Sequence, residues 1–228
     1  MARPQGGNSG CESGGVRIET YAYYNVKMQH VVGIDEAGRG PLAGPVAIGI
    51  VSIPSKFDKR FFKNIKDSKK LSASNRELWF ESALEARKSG LLDFTVVLIS
   101  EKVIDKKGIS YAINLGIKKG LSTLNVSENH RIFLDGGLRV PERFKYQKTV
   151  VKGDEKIPVI SLASIMAKVT RDRKMVSLSK KFPKFNFDIH KGYGTKAHIR
   201  AIKKYGQTSI HRRSFLTRLV KTRAFRTC

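Results

Sequence analysis

The sequence has few cysteines and no long hydrophobic run. Its only two cysteines among 228 residues are Cys11 and Cys228, which lie in opposite terminal segments. A structural disulfide and a cysteine-based metal site are therefore not expected, and a reducing cytoplasm is the expected compartment. The longest apolar stretches have the length of a strand, so we expect no transmembrane helix and no membrane partner.

The N-terminal segment lacks the apolar centre of a secretory signal and the arginines of a transit peptide. Residues 1–15 are instead rich in glycine and serine. We predict that residues 1–25 form a disordered tail and that residues 26–228 form one domain with an α/β fold.

Acidic residues are scarce, especially towards the C-terminus. The chain has 44 Lys and Arg against 19 Asp and Glu, a net charge of +25, and no acidic residue follows Asp188. The basic residues of the last third alternate with aromatic rings and histidines, including Tyr193, Tyr205 and Phe215. A solvated basic surface could explain the charge alone, but this mixture favours a face that binds nucleic acid.

Apolar runs and helical patterns alternate along the chain. Strands are predicted at residues 31–34, 45–53, 94–99, 132–134 and 149–152. Helices are predicted at 74–90, where Ser74 and Glu77 resemble a capping box, and at 109–124, 160–178, 196–205 and 215–225. The alternation predicts an α/β core, with helices alone in the C-terminal third.

Four carboxylates lie where predicted strands end. Asp35 and Glu36 close the first apolar run, and Asp135 and Asp154 each stand beside a glycine after a later run. A lone aspartate before glycine is ordinarily a turn residue, which is the simpler interpretation of Asp135 or Asp154 taken singly. Together, four carboxylates at strand ends favour a site for Mg²⁺ or Mn²⁺, and no histidine–cysteine spacing suggests zinc.

Several short motifs make the chain resemble the type 2 ribonuclease H (ribonuclease HII) family, in its bacterial single-subunit form. The resemblance extends over about residues 30 to 217, and the motifs follow the order of the family. They are DEAGRGP at 35–41, DSKKL at 67–71, LDG at 134–136, KGD at 152–154, SLASIMAKVTRD at 161–172, HKGYGT at 190–195 and HRRSF at 211–215.

The resemblance implies a ribonuclease H-like fold, with a central mixed β-sheet flanked by helices and a C-terminal helical portion. It implies an endonuclease that cleaves the RNA strand of RNA–DNA hybrids. It also implies incision of duplex DNA on the 5′ side of an embedded ribonucleotide, which leaves a 3′-hydroxyl and a 5′-phosphate. Residues 26–228 would then be the catalytic domain.

The resemblance also assigns roles to residues. Asp35, Glu36, Asp135 and Asp154 would be catalytic and would bind two Mg²⁺ or Mn²⁺ ions. Gly38, Arg39 and Gly40 would contact the 2′-hydroxyl, and Tyr193 would stack on the sugar next to the ribonucleotide.

Further residues are candidates for contact with the substrate. Ser164 would face the groove, or serve only as a small residue that lets a helix pack closely. The candidates for contact with phosphate are Lys69, Lys70, Lys168, Arg171, Arg212 and Arg213. The simpler structural interpretation is preferred for Asp172, as partner of a nearby cation, and for His190 and His211.

Three alternatives remain at this point. A type 3 ribonuclease H would carry an additional N-terminal domain, and only about thirty residues precede Asp35. A hybrid-binding protein without activity would have no reason to keep four carboxylates that repel one another. The catalytic subunit of a heterotrimer fits less well, because the segments at 190–195 and 211–215 are similar to the single-subunit type. We therefore expect a monomer, and recruitment by a sliding clamp is left open.

Overall fold

A five-stranded mixed β-sheet forms the centre of the structure. The computed structural model describes residues 29–63, 65 and 71–221, excluding the side chains of 218–221. The strands are β1 (His30–Ala37), β2 (Val46–Pro54), β3 (Asp93–Ile99), β4 (Arg131–Asp135) and β5 (Gln147–Val150). Their order in the sheet is β3-β2-β1-β4-β5. β1 runs antiparallel to β2 and parallel to β4, and β4 is parallel to β5, so the C-terminal ends of β1, β4 and β5 share one edge.

The helices pack around this sheet and form the C-terminal portion. They are α1 (Ala73–Lys88), α2 (Glu101–Lys107), α3 (Ile109–Thr123), α4 (Gly153–Lys156), α5 (Pro158–Lys181), α6 (Phe187–His190), α7 (Lys196–Tyr205) and α8 (Arg213–Lys221), with short 3₁₀ helices at Lys59–Phe62 and Pro183–Phe185. The predicted α/β fold, with a mixed sheet and a helical C-terminal portion, is confirmed.

Two apolar cores lie on the two faces of the sheet. Side chains from α3 pack with β1, β2 and β4 in one core, and α1 packs with the first half of α5 in the other. α5 lies very close to β2, because a Cβ at Gly49 would be only 2.1 Å from the carbonyl oxygen of Ala163. This close packing places the next turns of α5 beside the edge where β1 and β4 end.

A third apolar cluster joins the C-terminal helices to the segment after β1. Leu42 and Ala43 pack there with Met175 of α5 and with Phe185 and Phe187. Ala43 also forms an isolated antiparallel bridge with residue 211. The C-terminal portion is therefore packed directly on the chain that follows the first two carboxylates.

Some element boundaries differ from those predicted. The N-cap of α1 is Ser72, whose hydroxyl accepts the Asn75 N–H, and not Ser74. Glu77 does not complete a capping box; its carboxylate pairs with Arg173 of α5 at 2.5 Å. The short helix α2 was not predicted, because its seven residues are too few for a clear 3.6-residue period.

Some predictions concern residues that the structure does not describe. The predicted tail at residues 1–25 and most of the DSKKL motif, including Lys69 and Lys70, lie outside the described residues, as do the last residues of the predicted C-terminal helix. Within the described part, no helix is long and apolar enough to cross a membrane.

Candidate active site

Two parallel strands bring three of the predicted acidic residues to one edge of the sheet. Asp35 and Glu36 lie near the end of β1, and Asp135 is the last residue of the neighbouring β4. The register pairs Ile34 with Leu134, so Asp35 and Asp135 each follow directly on paired residues. Ligand sites of α/β sheets commonly lie beyond such strand ends.

These carboxylates influence one another electrostatically. Asp35 is only 4% exposed, and its pKa is raised to about 8, mainly by burial. The charges of Glu36 and Asp135 add to this increase, whereas the hydrogen bond from the Ser164 hydroxyl on α5 acts against it. Burial also raises the pKa of Glu36, although its ion pair with Arg39, at 3.2 Å, acts in the opposite direction. The carboxylates are close enough to repel, and a cation between them would remove that repulsion.

The fourth predicted acidic residue, Asp154, lies on the adjacent turn. The N–H of Gly153 donates to Oδ1 of Asp135 at 2.7 Å, which fixes the start of α4 against the end of β4. The carbonyl oxygen of Asp154 accepts the Ser161 hydroxyl at 2.6 Å, and the residue is fully buried. The backbone of Asp154 is therefore anchored beside Asp135.

The carboxylates of Asp35, Glu36 and Asp135 accept hydrogen bonds from protein donors. Oδ1 of Asp35 accepts the Glu36 N–H at 2.7 Å, while Asp135 and Glu36 are held by Gly153 and Arg39. Among the described residues, no group of three or more His, Cys, Asp or Glu side chains is arranged as a ready metal site. The donor set of clustered carboxylates fits Mg²⁺ or Mn²⁺ in its chemistry.

A glycine-containing loop follows the first two carboxylates. Residues 38–45, which we call the glycine loop, begin at Gly38, whose φ is +88°. The guanidinium of Arg212 donates to the carbonyl oxygens of Gly38 at 2.7 Å, Arg39 at 3.0 Å and Gly44 at 2.9 Å. Arg212 thus fixes the path of the loop at both ends.

A second buried arginine holds the same loop from α5. Arg171 donates through Nε to the carbonyl oxygen of Pro45 at 2.9 Å, and through Nη2 to those of Ala43 at 3.3 Å and Lys191 at 3.0 Å. Arg171 and Arg212 are both 0% exposed. The prediction that these two arginines contact phosphate is therefore wrong, because each guanidinium is buried and donates to backbone carbonyls of the protein.

Tyr193 lies beside the glycine loop with its ring partly exposed. The N–H of Leu42 donates to the carbonyl oxygen of Gly192 at 2.8 Å, and Tyr193 itself is 42% exposed. Nζ of Lys168 lies 6.0 Å from the centroid of the ring. Lys168 also pairs with Asp172 at 2.9 Å, which confirms the structural role predicted for Asp172.

Three buried histidines support this region. Nδ1 of His211 accepts the Thr208 N–H at 2.8 Å, so the ring proton of His211 lies on Nε2. That Nε2 donates to Nε2 of His198, at 3.0 Å. His198 therefore donates from Nδ1 to the carbonyl oxygen of Tyr193, at 2.9 Å. His190 accepts the Gly192 N–H and stacks on His198 with ring centroids 4.4 Å apart.

The structural role favoured for His190 and His211 is confirmed by these contacts. Sequence reasoning missed His198, because its partners are 5 and 13 residues away and no local pattern marks them. Arg213 has an exposed side chain, and its N–H donates to the Asp105 carboxylate at the start of α8.

The site can now be compared with known proteins. A family model described as Ribonuclease HII matches residues 32–218. The chain belongs to the ribonuclease HII family. A ribonuclease HII from Caldicellulosiruptor bescii is 40% identical over 196 residues, which cover 86% of this chain and 91% of the relative.

Solved structures of the family have the same fold. The ribonuclease H2 of Pyrococcus horikoshii is 32% identical with a TM-score of 0.63, and the match covers 87% of this chain and all of the other. A ribonuclease HII of Archaeoglobus fulgidus, solved in a complex with PCNA, is 30% identical with a TM-score of 0.62 and covers 79% and 92% of the two chains. Membership makes this protein a ribonuclease H, an endonuclease for the RNA of RNA–DNA hybrids, and excludes the non-catalytic alternative.

Proposed function

We propose that this ribonuclease HII incises duplex DNA on the 5′ side of an embedded ribonucleotide, in addition to cleaving RNA–DNA hybrids. The products would carry a 3′-hydroxyl and a 5′-phosphate. The observation that carries the proposal is the close association of two features. The carboxylates of Asp35, Glu36 and Asp135 lie at one sheet edge, and the glycine loop that follows them packs on the segment of Tyr193.

Two divalent cations, Mg²⁺ or Mn²⁺, would be held by Asp35, Glu36, Asp135 and Asp154. When bound, such ions activate water and stabilise the leaving 3′-oxygen. Ser164 would keep the Asp35 carboxylate oriented through the hydrogen bond that it already makes. Gly153 would hold Asp135 in the same way through its N–H. Glu36 would have to leave its ion pair with Arg39, a partner that is 55% exposed and can swing towards a substrate phosphate.

The glycine loop would recognise the 2′-hydroxyl. Nothing lies within 4 Å of the position that a Cβ at Gly40 would take, so a sugar can approach the backbone there. Tyr193, with its ring partly exposed, would stack on the neighbouring deoxyribose, and Lys168 beside that ring would contact a phosphate. Lys69 remains a proposed phosphate contact from the family motif alone.

The remaining proposals concern the chain as a whole. We propose that it acts as a cytoplasmic monomer, with residues 26–228 as the catalytic domain. Light scattering on the protein in solution tests whether it is a monomer: a mass near 25.5 kDa supports this, and twice that mass contradicts it.

A duplex that contains one ribonucleotide tests the proposed incision. The protein is incubated with this duplex and with an all-RNA hybrid, in Mg²⁺, Mn²⁺ or chelator, and the ends are mapped. Nicking 5′ to the ribonucleotide that needs a divalent ion supports the proposal. Cleavage of the hybrid alone would indicate type 3 behaviour and contradict it.

The variant Asp135→Asn tests the assignment of the carboxylates. We expect cleavage to be lost and binding to be kept or strengthened, since a negative charge beside the phosphate is removed. Glu155→Gln is the matched control, because Glu155 is an exposed carboxylate on the same short turn as Asp154. Near wild-type cleavage by Asp135→Asn would overturn the assignment.

A further inference from the structure

The two segments proposed to recognise the ribonucleotide junction are joined by one buried side chain. Nη2 of Arg171 donates to the carbonyl oxygen of Ala43 in the glycine loop and to that of Lys191, two residues before Tyr193. A single nitrogen atom therefore bridges the two segments. Arg212, in contrast, donates only to the glycine loop.

The guanidinium of Arg171 also lies against the Tyr193 ring, with Cζ 5.7 Å from the ring centroid. The glycine loop leaves space for it, because a Cβ at Gly38 would stand only 2.0 Å from Nε of Arg171. The third acceptor is the carbonyl oxygen of Pro45, at the end of the glycine loop. The side chain is thus fixed by the loop, and it in turn contacts both the backbone and the ring of the Tyr193 segment.

Direct backbone contact makes the spacing of the two segments short and well defined. Leu42 donates to Gly192 at 2.8 Å, and a Cβ at Gly192 would be 2.5 Å from the carbonyl oxygen of Ala43. From the other side, His198 holds the carbonyl oxygen of Tyr193. Small changes in this spacing would move the ring relative to the loop.

We propose that Arg171 is a positioning residue that determines specificity for the ribonucleotide junction. It would do so by setting the distance between the glycine loop and Tyr193, so that one ribose and the next deoxyribose are engaged together. This inference rests on the proposed function. A hybrid with RNA on both sides of the cleaved bond depends less on this distance, because no ribose-to-deoxyribose step has to be recognised.

The test compares kcat/KM for the single-ribonucleotide duplex with kcat/KM for the all-RNA hybrid. Arg171→Lys keeps the charge but has only one nitrogen, so it cannot donate to Pro45 and bridge Ala43 and Lys191 at the same time. We expect the ratio of the two constants to fall by about tenfold or more, since a misplacement of about 1 Å can cost a factor of up to about 100. Activity on the hybrid should fall less, because the hybrid needs the carboxylates and the glycine loop but not the spacing between that loop and Tyr193.

Arg173→Lys is the matched control. Arg173 is on the same helix but pairs with Glu77 and Glu81 of α1, so the ratio should not change. In a Tyr193→Ala background, Arg171→Lys should lower the ratio no further, because the residue acts through that ring. An equal loss on both substrates in the single variant would reduce Arg171 to a structural role and overturn the inference.

Two further variants keep the test decisive if Arg171→Lys does not fold. Arg171→Met removes a buried charge with little change in volume, and Gly192→Ala widens the spacing without touching Arg171. Both should lower the ratio, and an unchanged ratio in a folded variant contradicts the inference. If the wild-type protein does not incise the single-ribonucleotide duplex, the proposed function itself fails. If the wild type incises that duplex and the variants keep the same ratio of the two constants, only the inference about Arg171 fails.

Discussion

Nη2 of Arg212 lies 2.7 Å from the carbonyl oxygen of Gly38, although the two residues are 174 positions apart in the chain. Gly38 directly follows the end of β1 and lies two residues after Glu36, and Arg212 immediately precedes α8. The contact therefore ties the C-terminal portion to the site. Because the guanidinium is fully buried, its hydrogen bonds to the loop are protected from competition with water.

Replacing Arg212 by lysine should destabilise the protein. An ammonium group can reach only part of the three carbonyls that the guanidinium satisfies, so we expect a loss of about 2–4 kcal/mol in the free energy of unfolding. Urea denaturation measures it. Arg213→Lys is the control, because that side chain is exposed and should change stability by less than about 0.5 kcal/mol. Equal stability of the two variants would contradict a clamping role for Arg212.

Gly38→Ala and Gly40→Ala should separate folding from recognition. At Gly38 the positive φ and the overlap with Arg171 predict a loss of at least about 2 kcal/mol in unfolding free energy. At Gly40 a methyl group meets no protein atom, so stability should change by less than about 0.5 kcal/mol, while cleavage falls because the sugar can no longer approach. Thermal unfolding and cleavage rates of both variants provide the check. Full activity in Gly40→Ala would contradict the proposed role of the loop.

The sequence allowed prediction of the strands and of the place of the acidic residues near the strand ends, but not of the buried arginines. β1 and β4 are short apolar runs whose carboxylates stand at the strand ends, so local pattern and site chemistry agree. Arg171 and Arg212 looked like surface cations, because an arginine is buried only when tertiary partners exist. Those partners are backbone carbonyls up to 174 residues away, and a carbonyl has no signature in the sequence. The cap of α8 by Asp105, 109 residues from Ser214, was unpredictable for the same reason.

The buried histidines should make stability depend on pH. Burial lowers the pKa of His198 and His211 to about 4, against 6.5 for an ordinary histidine. Between about pH 6.5 and 4, these two histidines are protonated in the unfolded chain but stay neutral in the folded protein. Stability therefore falls as the pH decreases through that range. At the acidic end of this pH range, each ring should lower the free energy of unfolding by an amount on the order of 3 kcal/mol.

Nuclear magnetic resonance of the imidazole groups checks this directly. The C2 protons of both rings should keep the shifts of neutral histidine down to about pH 5. Nitrogen shifts should place the proton on Nε2 of His211 and on Nδ1 of His198, as the Thr208 and Tyr193 contacts require. Titration of either ring near pH 6.5 would contradict the hydrogen-bonded chain.

Asp35→Asn should stabilise the metal-free protein while abolishing cleavage. Burial raises the pKa of Asp35 to about 8, so the folded protein holds a proton that the unfolded chain releases near pH 4. The contribution of this carboxyl to stability is thus lost as the pH rises from about 4 to 8. Over that range the free energy of unfolding of the variant should come to exceed that of the wild type by about 2–4 kcal/mol. Thermal unfolding in chelator measures it. Added Mn²⁺ should stabilise the wild type more than the variant, and an equal shift in both would contradict binding by Asp35.

Binding to duplex DNA should weaken steeply with salt, and the location of the basic residues decides how steeply. With a net charge of +25, neutralisation of about six phosphates would reduce affinity by roughly a factor of 1,000 between 50 and 200 mM salt.

Exposed Lys196 and Lys204 lie on α7, in the C-terminal portion that contacts the Tyr193 segment, whereas exposed Lys118 and Lys119 lie on α3, on the other face of the sheet. Replacing either pair by glutamine lowers the net charge equally. We expect the magnitude of the slope of log affinity against log salt to decrease by about one to two when the α7 pair is replaced, and to stay unchanged when the α3 pair is replaced. The measurements use Asp135→Asn protein, so that the duplex is not cut. Equal slopes in the two double variants would mean that overall charge, and not a basic face beside the site, holds the duplex.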